Sequence, residues 1–291
     1  MSIAVIINPK AGPGAGDKGR DRRDRAAQAL AGTAEPVHIT ITTHAGHARD
    51  LAAQAVARGD RLVVAWGGDG TINEVASALL STSSALGIVR SGSGNSLARE
   101  LRVSPRPAEA LRQALTAVPR TIDAGEIDGH PFFCVAGIGF DEHIATSFDR
   151  DTSGRRGFLT YVRLALREII GYRPSTYWID GRRIDKAVLI AIANSGQFGN
   201  GAVVAPDARI DDGRLDVVTL AERSRVLTML ALPRLYVGGL KRVRGVAMTP
   251  VTRVVIEAAH PIRFHADGEP REGSTRILVR VLPRVLRVAV R

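Results

Sequence analysis

Three glycine-rich loops, each placed between an apolar run and a helical pattern, constrain the fold of this chain more than any other feature. The first loop covers residues 8–16, the second 66–74 and the third 91–100. Apolar runs that alternate with helical patterns indicate βαβ units and a largely parallel sheet. The carboxyl ends of parallel strands share one edge of a sheet, where ligands bind. We therefore expect the three loops at one such edge.

The alternation ends near Pro119, where a second pattern begins. Short apolar runs are then broken by Gly, Asp and Pro, and Ile-Asp-Gly at 127–129 and 179–181 predicts hairpin turns. Helical blocks are expected at 158–170 and within 224–241.

These two patterns predict two domains. Residues 1–120 are expected to form an α/β domain with a mostly parallel sheet. Residues 121–291 are expected to form a mostly antiparallel β domain.

The second loop carries the strongest local chemical signal. Its glycines allow backbone N–H groups to approach a phosphate closely, and the helix that follows adds the positive end of its dipole. Asp69 inside this loop would repel a phosphate unless it holds Mg²⁺ or helps to activate a hydroxyl group. A tight strand-to-helix turn with Asp69 as its N-cap is the alternative. The Walker A pattern GxxxxGK[ST] is absent.

Composition limits the classes of partner. The net charge is +11, from 40 Lys and Arg against 29 Asp and Glu, and it favours nucleotides or an anionic membrane leaflet. Nucleic acid is not expected, because aromatic residues make up only 4% and no RNP motif, zinc finger or basic-region helix is present.

The sequence also indicates a compartment. Cys134 is the single cysteine, so no intrachain disulfide can form and a reducing cytoplasm is expected. The first apolar run is expected to be a buried strand, without a signal peptide before it. The seven His residues show no HExxH pattern and no pairing with Cys, so a structural zinc site is not expected.

Three segments, in this order and spacing, resemble the catalytic domain of the diacylglycerol kinase superfamily: "NPKAG" at 8–12, "GGDGTINEV" at 67–75 and "GSGNSLARE" at 92–100. The superfamily includes bacterial lipid kinases and the sphingosine and ceramide kinases. The similarity continues through the segments "TTHAGHA", "AGIGFDEHI", "GQFGNGAVVAPDARIDDGRLDV" and "HADGEP", so it spans nearly the whole chain. The resemblance implies an α/β nucleotide-binding domain followed by a β-sandwich. In that family the C-terminal strand can pack back onto the first domain, and the same is expected here.

The resemblance also implies a nucleotide site in the first domain. Its members are expected to surround the ATP phosphates or to add hydroxyl contacts: Asn8, Pro9, Lys10, Ala11, Gly12, Thr42 (or Thr43), Gly67, Gly68, Asp69, Gly70, Thr71, Ile72, Asn73 and Ser93.

The catalytic groups implied by the resemblance are Glu269 as the proton acceptor, Asp267 beside it, and Asp69. Phosphoryl transfer to an alcohol needs a carboxylate that accepts the hydroxyl proton. From the residues alone, Asp267-Gly268-Glu269 would instead be interpreted as a β-hairpin turn.

A separate segment, "ARIDDGRLD" at 208–216, resembles an accessory Mg²⁺ loop of the family. The implied ligands are the carboxylate of Asp212 and the carbonyl oxygens of Arg209 and Arg214. Oxygen ligands suit this hard cation. An ordinary Asp-Gly turn is the alternative.

One position departs from the family pattern. Ser96 stands where many bacterial diacylglycerol-type kinases carry Asp, and the form "GSGNSLA" is closer to sphingosine- and ceramide-kinase-like members. Diacylglycerol is therefore not assumed as the acceptor.

The predicted function is that of a cytoplasmic ATP- and Mg²⁺-dependent lipid kinase of phospholipid metabolism, peripheral at the inner membrane face. The acceptor would be a hydroxyl of diacylglycerol, a sphingoid lipid or another membrane lipid. One alternative is an NAD kinase-like phosphotransferase that acts on a soluble nucleotide. Another is a non-enzymatic regulator that binds a nucleotide or a lipid.

Two segments bear on membrane contact. Residues 223–244 are apolar with basic flanks and would suit an anionic leaflet, although a helix packed on the second domain is an equal alternative. Residues 276–291 mix Arg with aliphatic residues around Pro283 and predict two short strands. A twofold homodimer is the commonest oligomer, but nothing in the sequence argues for one.

Overall fold

The computed structural model describes residues 2–12, 18–92, 94–150, 164, 167–169, 171–198, 202–222, 234 and 239–290. The chain forms two compact units. The first unit comprises Met1–Ile122 and Arg284–Arg291, and the second comprises Asp123–Pro283. The last residues of the chain therefore belong to the first unit.

Several predicted features fall largely outside the described residues. They are the two helical blocks at 158–170 and 224–241 and the apolar segment 223–244. In the described ranges, no helix combines the length and the apolar character needed to cross a membrane.

Strands and helices alternate along the first unit. Its elements are β1 (Ile3–Ile7), α1 (Lys18–Leu30), β2 (Val37–Ile41), α2 (His47–Ala57), β3 (Leu62–Gly67), α3 (Asp69–Leu79), β4 (Ala85–Arg90), α4 (Ser96–Glu100) and α5 (Pro107–Thr116). The next strand, β5 (Arg120–Ile127), leads into the second unit.

A parallel sheet organises the first unit, with its strands in the order β2–β1–β3–β4. All residues of β1 and β3 are buried. This burial is typical of central parallel strands that helices cover on both faces. Among the helices, α1 contacts α5, and α3 contacts both α2 and α4. The carboxyl ends of β1, β3 and β4 open into the first, second and third loops.

The second unit is rich in short strands. Its elements after β5 are β6 (His130–Phe132), β7 (Val135–Gly139), α6 (Phe140–Arg150), β8 (Ser175–Ile179), β9 (Arg182–Ala193), β10 (Gln197–Phe198), β11 (Ala202–Val203), β12 (Leu215–Ala221), a 3₁₀ turn (Leu240–Arg242), β13 (Val246–Val251), β14 (Arg253–Ala258), β15 (Arg263–Ala266), β16 (Glu269–Glu272) and β17 (Arg276–Val288).

Antiparallel pairing dominates this unit. Strands β16, β15, β7, β9, β8, β14 and β17 follow one another in the sheet, and β12 joins β9 to β13. A buried cluster that includes Phe132, Ile192 and Phe264 forms its main core. A parallel first unit and an antiparallel second unit confirm the predicted fold class.

The Asp-Gly signals are confirmed as two-residue hairpin turns. One turn joins β5 to β6 and the other joins β8 to β9. Asp128 and Gly129 have φ angles of 49° and 79°, and Asp180 and Gly181 have 47° and 77°. Two successive residues at positive φ are typical of the turn type that matches the twist of paired strands.

The tail differs from its prediction of two short strands. It forms one strand, β17, whose beginning pairs with β14 and whose end pairs with β4 in parallel. Arg284, directly after Pro283, has a φ of 53°. Pro283 has no N–H to donate to a neighbouring strand. This interrupts the pairing only locally, and β17 continues beyond it.

Candidate functional site

Asn8 links the first loop to the second. Its Nδ2 donates to Oγ1 of Thr71 at 2.8 Å, and its Oδ1 accepts the backbone N–H of Lys10 at 2.9 Å. The backbone N–H of Asn8 donates to the carbonyl of Trp66 at 2.9 Å. The Asn8 side chain therefore closes its own loop and ties it to the start of α3.

Asp69 links the second loop to the third. Its Oδ2 accepts the N–H of Asn95 at 2.8 Å, and its Oδ1 accepts the N–H of Ser96 at 2.6 Å. Hydrogen bonds to an ionised carboxylate are the strong ones. Asp69 thus holds the start of α4 against the start of α3. Each carboxylate oxygen can accept more than one hydrogen bond, so these two contacts leave Asp69 chemically able to take a further partner.

Glycine is required where the loops approach one another. A Cβ on Gly12, which has a φ of 85°, would lie 2.3 Å from the carbonyl oxygen of Ser91. A Cβ on Gly92 would lie 2.7 Å from Cα of Gly68. Any side chain at Gly12 or Gly92 would therefore push two loops apart. Glycine at these positions also allows a phosphate to approach the backbone N–H groups of the loops closely.

Arg22 is a member of this loop junction that the sequence did not reveal. It lies on α1 and is buried, with Nη1 donating to the carbonyl of Asn8 at 2.5 Å and Nη2 donating to that of Ala11 at 2.6 Å. Burial lowers the pKa of its guanidinium. In the sequence Arg22 stands among exposed Arg and Asp residues, so no local pattern distinguishes it.

Replacing Arg22 by Gln is expected to lower the free energy of unfolding by at least about 3 kcal/mol, because two charged hydrogen bonds to loop carbonyls are lost, at about 1.5–3 kcal/mol each. The matched control is Arg23→Gln, since Arg23 is exposed on the same helix. That control should change stability by less than about 0.5 kcal/mol. Urea denaturation measures both values. Equal effects of the two variants would contradict the bracing role of Arg22.

The other predicted nucleotide residues lie close to the loop junction or within it. Thr42 is buried directly after β2, and its N–H donates to the carbonyl of Ile7 at 2.8 Å. Ile72 and Asn73 are buried in α3, so the side chain of Ile72 faces the core. Ser93 lies outside the described residues.

Two further groups of the first unit were not predicted. Oγ of Ser91 is buried and has no hydrogen-bond partner among the described residues, which leaves a hydroxyl for a ligand at the start of the third loop. Glu74 accepts the N–H groups of Gly46 and Ala48 at 2.9 and 3.0 Å. It therefore ties α3 to the beginning of α2, next to the segment of Thr42.

In the second unit, Asp267 and Gly268 form the turn between β15 and β16, with φ angles of 50° and 89°. We call Asp267–Glu269 the acidic turn. The Asp267 carboxylate accepts the backbone N–H groups of Phe133, Cys134 and Val135 at 2.8, 2.9 and 3.1 Å. The interpretation of this segment as a hairpin turn is therefore right, and Asp267 clamps the turn to the start of β7.

Glu269 has a different environment from Asp267. Its side chain is 40% exposed, and its Oε2 accepts a hydrogen bond from Nη2 of Arg271 at 2.8 Å. An accessible carboxylate can reach a substrate proton, whereas one that accepts three backbone N–H groups is committed to holding the chain.

The predicted Mg²⁺ loop contacts the buried carboxylate of Asp123. Oδ2 of Asp123 accepts the N–H of Gly213 at 2.6 Å, and Oδ1 of Asp212 accepts the N–H of Arg214 at 3.0 Å. Burial, and then the negative charge of Asp212, raise the pKa of Asp216. The implied ligands, one carboxylate and two carbonyl oxygens, are of the kind that a hard cation prefers.

Metal binding at this loop stays a prediction. Across the described ranges, no group of three or more His, Cys, Asp or Glu side chains could hold a metal ion. The predicted site uses one carboxylate, with the carbonyl oxygens of Arg209 and Arg214 as its other ligands.

Comparison with known proteins matches both units. A family model described as the diacylglycerol kinase catalytic domain matches residues 2–127. A second one, described as the YegS C-terminal NAD kinase beta sandwich-like domain, matches residues 134–290. These matches confirm the resemblance and the fold class that the sequence predicted.

Similar proteins support the same assignment. A protein of Chromohalobacter salexigens named "Probable lipid kinase YegS-like" is 32% identical over 243 residues, which cover 80% of this chain and 77% of that protein. A protein of the same name from Pseudomonas aeruginosa is 32% identical over 269 residues, covering 90% and 87%. A solved diacylglycerol kinase structure from Bacillus anthracis str. Sterne covers 100% of this chain and 97% of its own, with a TM-score of 0.74 and 20% identity. At that identity the likeness shows the fold alone.

Proposed function

The chain belongs to the YegS-like family of lipid kinases, and from that premise we propose that it transfers the γ-phosphate of ATP to a hydroxyl group of a membrane lipid. The acceptor is diacylglycerol, a sphingoid lipid or another lipid alcohol. The names of the relatives support a lipid acceptor, and Ser96 in the third loop is the reason to test more than one.

The junction of the three loops is the observation that carries the ATP-binding half of this proposal. Asn8 joins the first loop to the second, and Asp69 joins the second to the third. Backbone N–H groups at the start of α3, together with the helix dipole, attract phosphate oxygens. Arg22 supports the first loop by donating hydrogen bonds to the backbone carbonyls of Asn8 and Ala11.

The proposed reaction is an in-line phosphoryl transfer. The acceptor hydroxyl oxygen forms a bond to the γ-phosphorus while the bond from that phosphorus to the bridging oxygen of ADP breaks, and ADP leaves. The hydroxyl proton passes to the carboxylate of Glu269. Asp267 holds the backbone that carries Glu269 and does not take the proton.

Mg²⁺ belongs to the same proposal. When bound to ATP it neutralises the charge that develops on the phosphate oxygens. Asp69 is the candidate to hold it at the loops, directly or through water. The loop of Asp212 is the candidate for an accessory Mg²⁺ that orders the second unit.

The setting of the reaction is proposed to be the cytoplasmic face of the membrane. A lipid acceptor resides in a bilayer, and the net charge of +11 supports attraction to an anionic leaflet. Nucleic acid is not a proposed partner. A homodimer stays a prediction without a structural argument.

A lipid panel with radiolabelled ATP and Mg²⁺ tests the proposal. Diacylglycerol, sphingosine, ceramide and NAD are offered separately, the lipids in anionic and in neutral vesicles. We expect label in the organic phase for at least one lipid, with a higher rate on anionic vesicles at low salt, because screening weakens that attraction.

The panel also separates the alternatives. Label in NADP alone would contradict a lipid acceptor and support an NAD kinase-like phosphotransferase. NAD is included because the second family model is described as NAD kinase beta sandwich-like. Binding of ADP without label in any acceptor would favour a regulator. An equal rate on anionic and neutral vesicles would contradict the proposed role of the membrane charge.

A further inference from the structure

A buried histidine also holds the acidic turn. His265 lies on β15 and is 0% exposed. Its Nδ1 accepts the backbone N–H of Gly268 at 3.2 Å, and its Nε2 lies 2.9 Å from Oδ2 of Asp141. The imidazole therefore connects the acidic turn to the first turn of α6.

The two contacts define the tautomer of this imidazole. A backbone N–H can only donate, so Nδ1 of His265 accepts and carries no proton. In the neutral ring the proton then sits on Nε2, which donates it to the carboxylate of Asp141. A proton on Nδ1 would set two donors against each other at Gly268.

The sequence leaves space for this pair. Gly137 on β7 is the direct partner of His265 on β15. A Cβ on Gly137 would lie 2.4 Å from Nε2 of His265 and 2.4 Å from Oδ2 of Asp141. Any side chain at 137 would displace the pair, so this hydrogen bond requires glycine at that position.

The carboxylate of Asp141 is well placed to carry a negative charge and to accept this hydrogen bond. It lies in the first turn of α6, where the helix dipole stabilises a negative charge. Its side chain is only 10% exposed, whereas that of Glu269 is 40% exposed. Asp141 and His265 are thus screened from solvent, while Glu269, the last residue of the acidic turn, is accessible.

We propose that Asp141 and His265 form a positioning pair that sets the backbone of the acidic turn and thereby the carboxylate of Glu269. This inference rests on the proposed function, in which Glu269 accepts the hydroxyl proton. Because His265 is completely buried, it acts through Gly268 and does not touch substrate. The pair is expected to affect kcat and to leave the KM for ATP unchanged.

Two substitutions at His265 separate its two contacts. The side-chain amide of Gln in His265→Gln reaches the position of Nε2. This variant therefore keeps the hydrogen bond to Asp141 and loses the acceptor for the N–H of Gly268. In His265→Asn the side-chain carbonyl oxygen lies near the position of Nδ1. This variant therefore keeps an acceptor for the N–H of Gly268 and loses the hydrogen bond to Asp141. We expect the Gln variant to lower kcat about tenfold. The Asn variant keeps the contact to Gly268 and loses only the anchor to Asp141, so it should lower kcat by a smaller but measurable factor. The control is His260→Gln, an exposed histidine of the same unit, which should leave kcat unchanged.

A double-mutant cycle shows whether the pair acts through Glu269. In a Glu269→Gln background, His265→Gln should cost nothing further in kcat, because the group that it positions is gone. An undiminished tenfold cost in that background would overturn the proposal and indicate a general loss of folded protein. A larger loss for His265→Asn than for His265→Gln would overturn it as well.

The tautomer gives a test that needs no activity. ¹⁵N-histidine NMR of the full chain, with His265→Asn to identify the resonances, should show a neutral ring protonated on Nε2. A ring protonated on Nδ1 would overturn the positioning pair. Wild-type protein that shows the expected tautomer but phosphorylates no lipid would overturn the proposed function and, with it, the catalytic meaning of the pair.

Discussion

Replacing Glu269 by Gln is expected to lower kcat for lipid phosphorylation by about 10²–10⁴-fold, the range that a positioned general base contributes. The KM for ATP should stay within about twofold, because the amide changes the proton acceptor and not the loops that bind the nucleotide. Gln has the size of Glu and can still accept the hydrogen bond from Arg271, so the acidic turn should keep its shape. Initial rates at varied ATP, with the acceptor lipid in vesicles, measure both constants.

The matched control for this variant is Glu272→Gln. Glu272 lies on the same strand, β16, and is exposed. Its replacement removes the same charge three residues away and should leave kcat unchanged. A Glu269→Gln variant that keeps more than about a third of the wild-type kcat would show that another group accepts the proton.

The contrast between Asp267 and Glu269 explains why the prediction concerns one carboxylate of the acidic turn. Asp267 accepts three backbone N–H groups from residues 133–135. Loss of this acceptor leaves three backbone N–H donors without their partner and disturbs the turn itself. A substitution at Asp267 therefore combines loss of position with loss of charge, whereas Glu269→Gln isolates proton transfer.

Local patterns were sufficient to predict much of the fold. The runs that form β1, β3 and β4 are apolar on both faces, and only a parallel sheet covered by helices buries both faces. The Asp-Gly turns follow from the low cost of positive φ at those residues. The helix α5 was not predicted, although Pro107 at its start is a typical first helical residue. The continuity of β17 was missed because Pro283 indicates an end to regular pairing.

The candidate site, like the fold, was predictable from the sequence only in part. Glycine-rich loops are visible in the sequence because each needs several special residues within a few positions. Contacts between distant residues leave no such pattern: Asp141 and His265 are 124 positions apart, and Arg22 resembles its exposed neighbours. Glu74 lies within a predicted segment, but its hydrogen bonds to the start of α2 depend on tertiary packing. The sequence thus indicated where the loops are, and only the structure shows what holds them in place.

Asp69 is the residue for which the structure changes the emphasis most. The sequence predicted a ligand of Mg²⁺ or a group that activates a hydroxyl. In the structure both of its carboxylate oxygens accept backbone N–H groups, from Asn95 and Ser96. Linking the second and third loops is thus a role that the geometry shows directly, and metal binding would add to it.

Replacing Asp69 by Ala is therefore expected to lower kcat/KM for ATP by at least about 100-fold, because two hydrogen bonds to a charged group contribute about 1.5–3 kcal/mol each. Affinity for ADP should fall in the presence of Mg²⁺ and also in EDTA, since the loops separate whether or not the metal is present. Calorimetric titration under both conditions makes the measurement. The control is Asp24→Ala, which removes an exposed carboxylate from α1 and should change neither affinity. If Asp69→Ala keeps wild-type affinity for ADP in EDTA and loses only the gain from Mg²⁺, then metal binding, and not the link between the loops, is the main role of Asp69.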